Sequence, residues 1–370
     1  MKFEFNQLHT ADLIPKAIYL AGKEGNLKDE PLSKLFKVDE NLKSIGNQSG
    51  IRKSVIERKG IKKRFAYIVI ISTSNVEEWQ NHYDSKTGIL KYYGDNKEVG
   101  KDYKNTKHKG NELFEEVFKA AYGTKEDRLT IPPIFYFEKI LKEKDMKYVG
   151  LALPVVKGES LNEVLKLEKH TNAQGSYQNY KAHFTIVKNE NIRREWIKDL
   201  KLGRGLTSLF MPEAWINFIK NGKEVDIPND ENNNEIIKEH SALYLTNQRL
   251  TQHKFREKLI EDRDCKCELC DIALPELLIA SHILPWVLSD EGEKLDINNG
   301  LLLCANHDKL FDKGFISFNN DGDILISPIV LKSQYVELKI DKSLKIATND
   351  KMSNFLSKHR ALHAYAENKR

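Results

Sequence analysis

Between Cys267 and Asp312 the chain reads CELC, then LLIASHILPW, then NNGLLLCANHDKLFD. Two thiolates at the Cys267-x-x-Cys270 spacing can grip one metal ion from a tight turn. Cys304-x-x-His307 supplies a matching second pair, so Cys267, Cys270, Cys304 and His307 make a candidate tetrahedral zinc site. The plainer alternative is reduced thiols packed as small hydrophobes. Cys265 is left over as an ordinary thiol.

His282 ends an apolar run, and Pro285 turns the chain soon after it. A histidine at a strand end is held rigidly yet stays accessible. With an unperturbed pKa of about 6.5 it can take a proton from water at neutral pH. Asn298 and Asn299 precede a second apolar run, and a helix would then carry Asp308 and Asp312 on one face. A carboxylate such as Asp308 and an asparagine carbonyl are oxygen ligands suited to magnesium or manganese. A strand with His, a strand with Asn and a helix with an acid form a ββα arrangement. Its chemistry would be metal-assisted cleavage of a phosphodiester: the histidine activates water and the ion stabilises charge on phosphorus and the departing oxygen.

These residues need a scaffold, and 370 residues suffice for two domains. The net charge of +5 permits a nucleic-acid partner without demanding one. All four cysteines lie between positions 265 and 304, which favours a metal site over a disulfide framework. There is no apolar run of about 18 residues and no secretory leader, so we expect a cytoplasmic protein with no membrane span.

The Asn-rich, polar stretch NGKEVDIPNDENNNE places a linker at 221–236, between a domain over 1–220 and a second over 237–370. The first reads as α+β. A β-branched run at 63–74 predicts a buried strand, and YDSKTGILKYYGDN predicts a hairpin about Thr87-Gly88. Residues 109–123 have helical periodicity on Leu113, Val117, Phe118 and Ala121; residues 147–156 and 180–187 predict strands. After the linker, 246–262 predicts a helix with Leu250, Phe255 and Leu259 inward and Arg249, Lys254, Arg256 and Lys258 outward. That basic face is a solvated surface or a phosphate contact. The final residues, from Met352, predict one more helix.

ASHILPW followed by NNGLLLCANHDKLFDKGFIS resembles the HNH endonucleases of restriction-enzyme type, over about residues 246–327. The resemblance implies a ββα-metal fold that cuts DNA with one divalent ion. It makes His282 the general base and Asn299 the middle residue of the motif. The last position stays open: either His307 completes the zinc site and Asp308 holds the catalytic ion, or His307 is itself the catalytic ligand. The first assignment is preferred. Ser281 stands where some of these enzymes have an acidic ligand.

A second resemblance spans about residues 10–200, carried by DLIPKAIYLAGKEGNLKDEPLSKLF, GNQSGIR, YDSKTGILKYYGDNKEVG and KGNELFEEVF. These segments are similar to the N-terminal recognition domain of AspBHI-type modification-dependent restriction enzymes. That implies an SRA-like curved sheet taking in a flipped, modified cytosine of double-stranded DNA. Tyr92, Tyr93, Asp95 and Asn96 would supply stacking faces and an acceptor for the base, with Asn47, Gln48 and Arg52 on a DNA-facing loop. The competing reading is that the tyrosines are half-buried sheet residues and that Asp95 and Asn96 bond their own backbone in a turn. The expectation is a phage-defence endonuclease acting as a homodimer, since one such site cuts one strand. Other readings are an HNH enzyme for unmodified or phosphorothioate DNA, a non-cleaving reader of modified DNA, and a zinc-stabilised interaction domain.

Overall fold

A computed structural model describes the chain apart from residues 25–26, 48, 58–63, 74–80, 141–143, 227–250, 364 and 366–370. It divides into two compact units, one over Met1–Glu57 and Lys63–Asn229, the other over Asp230–Arg370. Asn221 closes a helix, Gly222–Glu224 form a 3-10 turn and Val225 is buried. The stretch expected as a linker is therefore ordered at its start, because Val225 has apolar surface to hide. The rest of it, with Arg249 and Leu250, lies outside the described residues.

In chain order the first unit holds β1 (Lys2–Phe3), β2 (Ile18–Tyr19), α1 (Pro31–Leu35), β3 (Ile51–Val55), β4 (Phe65–Thr73), β5 (His82–Asp84) and β6 (Ile89–Tyr93). Then come α2 (Gly110–Ala121), α3 (Lys125–Arg128), β7 (Ile134–Lys139), β8 (Met146–Leu153), α4 (Leu161–Val164), β9 (Leu165–Asn172), β10 (Gly175–Val187), α5 (Arg194–Lys201) and α6 (Glu213–Asn221). Among the described residues these strands form one sheet, whose main path is β3-β4-β7-β8-β10-β6-β5. β4 is the expected buried strand: its run from Ile68 to Ile71 is covered on both faces, and it pairs parallel to β7. The β5–β6 hairpin turns at Gly88, whose φ of 73° favours glycine. α2 takes the predicted register and lays Phe114 and Phe118 against Phe184 of β10, ring centroids 5.6 and 4.9 Å away.

The two ends of this path meet. The Tyr92 hydroxyl on β6 reaches the carbonyls of Gly50 (3.0 Å) and Ile71 (2.9 Å) beside β3 and on β4. Tyr83 of β5 packs edge-on against Tyr136 of β7, centroids 6.0 Å apart. The sheet is thus strongly curved, as the resemblance implied.

The second unit holds a helix α7 over residues 251–262, β11 (Leu278–His282), β12 (Gly300–Cys304), α8 (Ala305–Asp312), β13 (Ile316–Phe318), β14 (Ile324–Ile326) and α9 (Asp350–Leu362). β11 and β12 pair antiparallel with His282 opposite Gly300, and α8 follows at once. That is the ββα order expected. α7 buries Phe255 and Leu259 as its periodicity requires. Arg256, expected on an outer basic face, instead donates to the carbonyls of Leu278 and Pro275 and so straps α7 to the start of β11.

Candidate active site and ligand cleft

Glu268 docks the Cys267–Cys270 knuckle on β12 like an extra strand residue. Its N–H donates to the Leu302 carbonyl at 3.0 Å, and its carboxylate accepts from the Leu302 N–H at 2.8 Å. Cys304 ends β12 and His307 lies in the first turn of α8, so both return to the knuckle. One ligand atom from each of Cys267, Cys270, Cys304 and His307 falls within 4.8 Å of the others. The His307 Nε2 lies 2.9 Å from the Lys339 carbonyl, which can only accept. Nε2 therefore carries the proton and Nδ1 has the free lone pair, 3.3 Å from Cys304 Sγ and 3.6 Å from Cys267 Sγ. The Cys304 N–H donates to the Cys267 sulfur at 3.2 Å. Burial, with the crowding thiols of Cys267 and Cys304, pushes the Cys270 thiol up to about 12. Thiols packed so closely lose their protons together only around a cation, and this donor set fits a closed, four-coordinate structural metal. Cys265 stays apart as a free thiol.

His282 leaves β11 with Nε2 3.0 Å from the carbonyl of Lys294. By the same logic Nε2 is protonated and Nδ1 has the free lone pair. Burial holds this imidazole below its ordinary pKa of 6.5, partly opposed by the Lys294 carbonyl. It is thus neutral and ready to accept a proton at neutral pH. Asp308 on α8 is half-buried and hydrogen-bonded to Ser281, the neighbour of His282. Burial raises its carboxyl and the Asp312 carboxylate raises it further, against the pull of Ser281 and two lysines. A carboxylate held this way is a fit donor for a divalent cation.

Asn299 departs from one expectation. It is fully buried, and its Oδ1 accepts from the Leu284 N–H at 2.8 Å. Its Nδ2 donates to the Glu293 carbonyl (2.9 Å) and Ser289 Oγ (3.2 Å). The carbonyl proposed as an ion ligand is therefore already used, and Asn299 braces the loop that carries Lys294. The Asn298 oxygen is taken too, by Asn349 at 2.8 Å. Sequence reasoning missed the Lys294 carbonyl, and no side-chain pattern announces a backbone acceptor.

In the first unit a cavity of about 540 Å³ opens where the two ends of the curved sheet approach. Tyr93, Arg52 and Asn47 line it, with Lys97, Lys139 and Lys144 making part of its wall basic. The Arg52 guanidinium is buried in an ion pair with Glu30 (2.7 Å) and bonds the Ser49 carbonyl (3.0 Å). Three expected contacts are structural instead. Tyr92 borders the cavity, but its ring is buried and its hydroxyl is the clasp described above. Asp95 caps α2: its oxygens accept from the N–H groups of Gly110 (2.9 Å) and Asn111 (3.1 Å) and from Thr106. Asn96 is buried and bonds Gln178 O (2.8 Å) and the Glu98 N–H (3.1 Å). Gln48 lies outside the described residues.

The chain thus carries a curved-sheet unit with a cleft whose wall is partly basic, followed by a ββα unit with a neutral histidine and a Cys3His cluster. Residues 13–227 match the family described as restriction endonuclease AspBHI N-terminal, and the chain belongs to that family. Residues 267–319 match the family described as HNH endonuclease. The structure is similar to the DNA modification-dependent restriction endonuclease AspBHI, with TM-score 0.52 and 29% identity, covering 60% of this chain and 54% of that one. The chain thus spans about half of AspBHI. The DNA recognition domain of the cytosine modification-dependent restriction endonuclease LpnPI matches with TM-score 0.48 and 32% identity, over 54% of this chain and 85% of that one. MspJI restriction endonuclease in complex with a 27-mer oligonucleotide matches with TM-score 0.47 and 19% identity, over 69% and 65%. Comparison with curated proteins gave no match. No helix among the described residues is long and apolar enough to cross a membrane.

Proposed function

We propose that this protein is a modification-dependent DNA endonuclease: its first unit admits a modified cytosine and its second hydrolyses the backbone. The observation that carries the cleavage half is the fixed tautomer of His282, whose Nε2 is bound to the Lys294 carbonyl so that Nδ1 is the proton acceptor. His282 takes a proton from water, the hydroxide attacks phosphorus, the bond from phosphorus to the departing sugar oxygen breaks, and that oxygen takes a proton from solvent while the imidazolium returns its own to bulk water. Asp308, helped by Ser281, would hold a divalent cation, magnesium or manganese. Such an ion supplies positive charge beside the scissile phosphate. Cys267, Cys270, Cys304 and His307 would hold a structural zinc, which fastens the knuckle to α8.

The reading half is supported by the family match and by a cavity of about 540 Å³, ample for one flipped base. Tyr93 and Arg52 are its proposed base contacts, and Lys97 and Lys139 its phosphate contacts. We further propose that the enzyme works in the cytoplasm as a homodimer on double-stranded DNA, one ββα unit per strand.

The test is incubation with magnesium or manganese and two matched duplexes, one with modified cytosines, alongside His282→Ala. Cleavage of the modified duplex alone, lost in the variant, is the expected result. Equal cleavage of both duplexes would remove the modification reader. Binding without any cleavage would leave a reader whose ββα unit is inert.

A further inference from the structure

Phe255 stands on α7, twelve residues before the HNH-matched segment begins at Cys267. Its ring lies flat on the imidazole of His282, centroids 3.9 Å apart and planes 18° from parallel. Two further features keep it there. Arg256, the next residue, straps α7 to the carbonyls of Leu278 and Pro275. Gly300, opposite His282 across the β11–β12 ladder, clears the space: a Cβ there would lie 2.5 Å from Phe255 Cζ.

We propose that Phe255 is a positioning residue for His282, fixing the plane of the imidazole so that Nδ1 meets the attacking water at one angle. The inference rests on the nuclease reading of His282 given above. Its physical basis is a count of constraints. Among the described residues this ring has one hydrogen bond, from Nε2 to the Lys294 carbonyl, and a single such bond leaves the ring free to tilt about it. A flat partner at van der Waals distance removes that freedom. Proton transfer depends steeply on such alignment. A residue serving only to fill the core would be replaceable by any side chain of similar bulk, whereas this role needs a flat face.

The experiment uses the full chain carrying Phe255→Met or Phe255→Leu, which keep apolar bulk without a ring, and Gly300→Ala, which crowds the ring while leaving it present. Single-turnover cleavage at saturating DNA should fall by about ten- to a hundredfold in all three, with DNA affinity unchanged. In protein labelled at histidine, the His282 ring protons, recognised by their absence from His282→Ala, should lie upfield in the parent and return downfield in Phe255→Met. A folded Phe255→Met enzyme that cleaves like the parent overturns the proposal. So do His282 ring protons at ordinary positions in the parent, whether or not the variants fold. If the parent cleaves no DNA, the nuclease reading fails, and the proton shifts still decide whether Phe255 holds the imidazole.

Discussion

Asn299 holds Leu284 by both of its backbone groups: Oδ1 accepts from the Leu284 N–H at 2.8 Å and Nδ2 faces the Leu284 carbonyl at 3.5 Å. The same Nδ2 donates to Glu293 O, so one side chain draws the start of the loop between β11 and β12 to its middle. Glu293 is followed by Lys294, whose carbonyl orients His282. The motif asparagine thus acts on the chemistry at one remove.

Replacing Asn299 by Ala should cost about 1–3 kcal/mol, because the Leu284 N–H and the Glu293 carbonyl lose a buried partner. Asn299→Asp should be no better: an ionised carboxylate accepts from Leu284 but cannot donate to Glu293. Urea unfolding of both variants checks this. An unchanged midpoint in either would show that the loop does not depend on the amide.

With the proposed structural zinc in the cluster, Cys304→Ser should lower the metal content and loosen the second unit. Cys304 meets both the Cys267 knuckle and His307, so its loss breaks the cluster in the middle. Elemental analysis and thermal unfolding with and without chelator are the measurements. Metal-free protein with an unaltered melting temperature would mean that the cluster is packed thiols after all.

The pH dependence of cleavage follows from His282. Protonation destroys the base, and burial places its pKa below 6.5. The rate should therefore be level near neutrality and fall with acid only below about pH 6.5. An acidic limb centred above that value in the kcat–pH profile would contradict the assignment. His282→Ala should lose about 10²- to 10⁴-fold in rate while still binding DNA.

Tyr92→Phe should destabilise the first unit by about 1–2 kcal/mol, since the carbonyls of Gly50 and Ile71 lose the buried hydroxyl between them. Comparison of denaturation curves decides it. A variant as stable as the parent would show that ring packing alone closes the curved sheet.

Local patterns carried far in this chain. The run at 65–73, the Thr87-Gly88 turn, the periodicity of α2 and the Cys-x-x-Cys and Cys-x-x-His spacings each depend on neighbours close in sequence, and each was legible. β9, by contrast, reads LKLEKHTN and lacks an apolar face, so only its pairing to β10 makes it a strand. β10 was legible in its buried half and not in its polar beginning at Gly175. The roles of Asp95 and Tyr92 were hidden for another reason. A carboxylate 15 residues from the helix it caps, and a hydroxyl bonded 42 residues away, are set by tertiary approach.

The Cys-x-x-Cys knuckle and the Cys-x-x-His turn flank the strand pair bearing His282, with Cys270 and Cys304 34 positions apart. The ring they form cannot shut until residue 307 exists. Translation begins at the other end, so every residue of the 13–227 segment has left the ribosome before that moment. On the proposed function, order of synthesis acts as an interlock: a nascent chain holding the whole recognition unit precedes one holding the whole nuclease site.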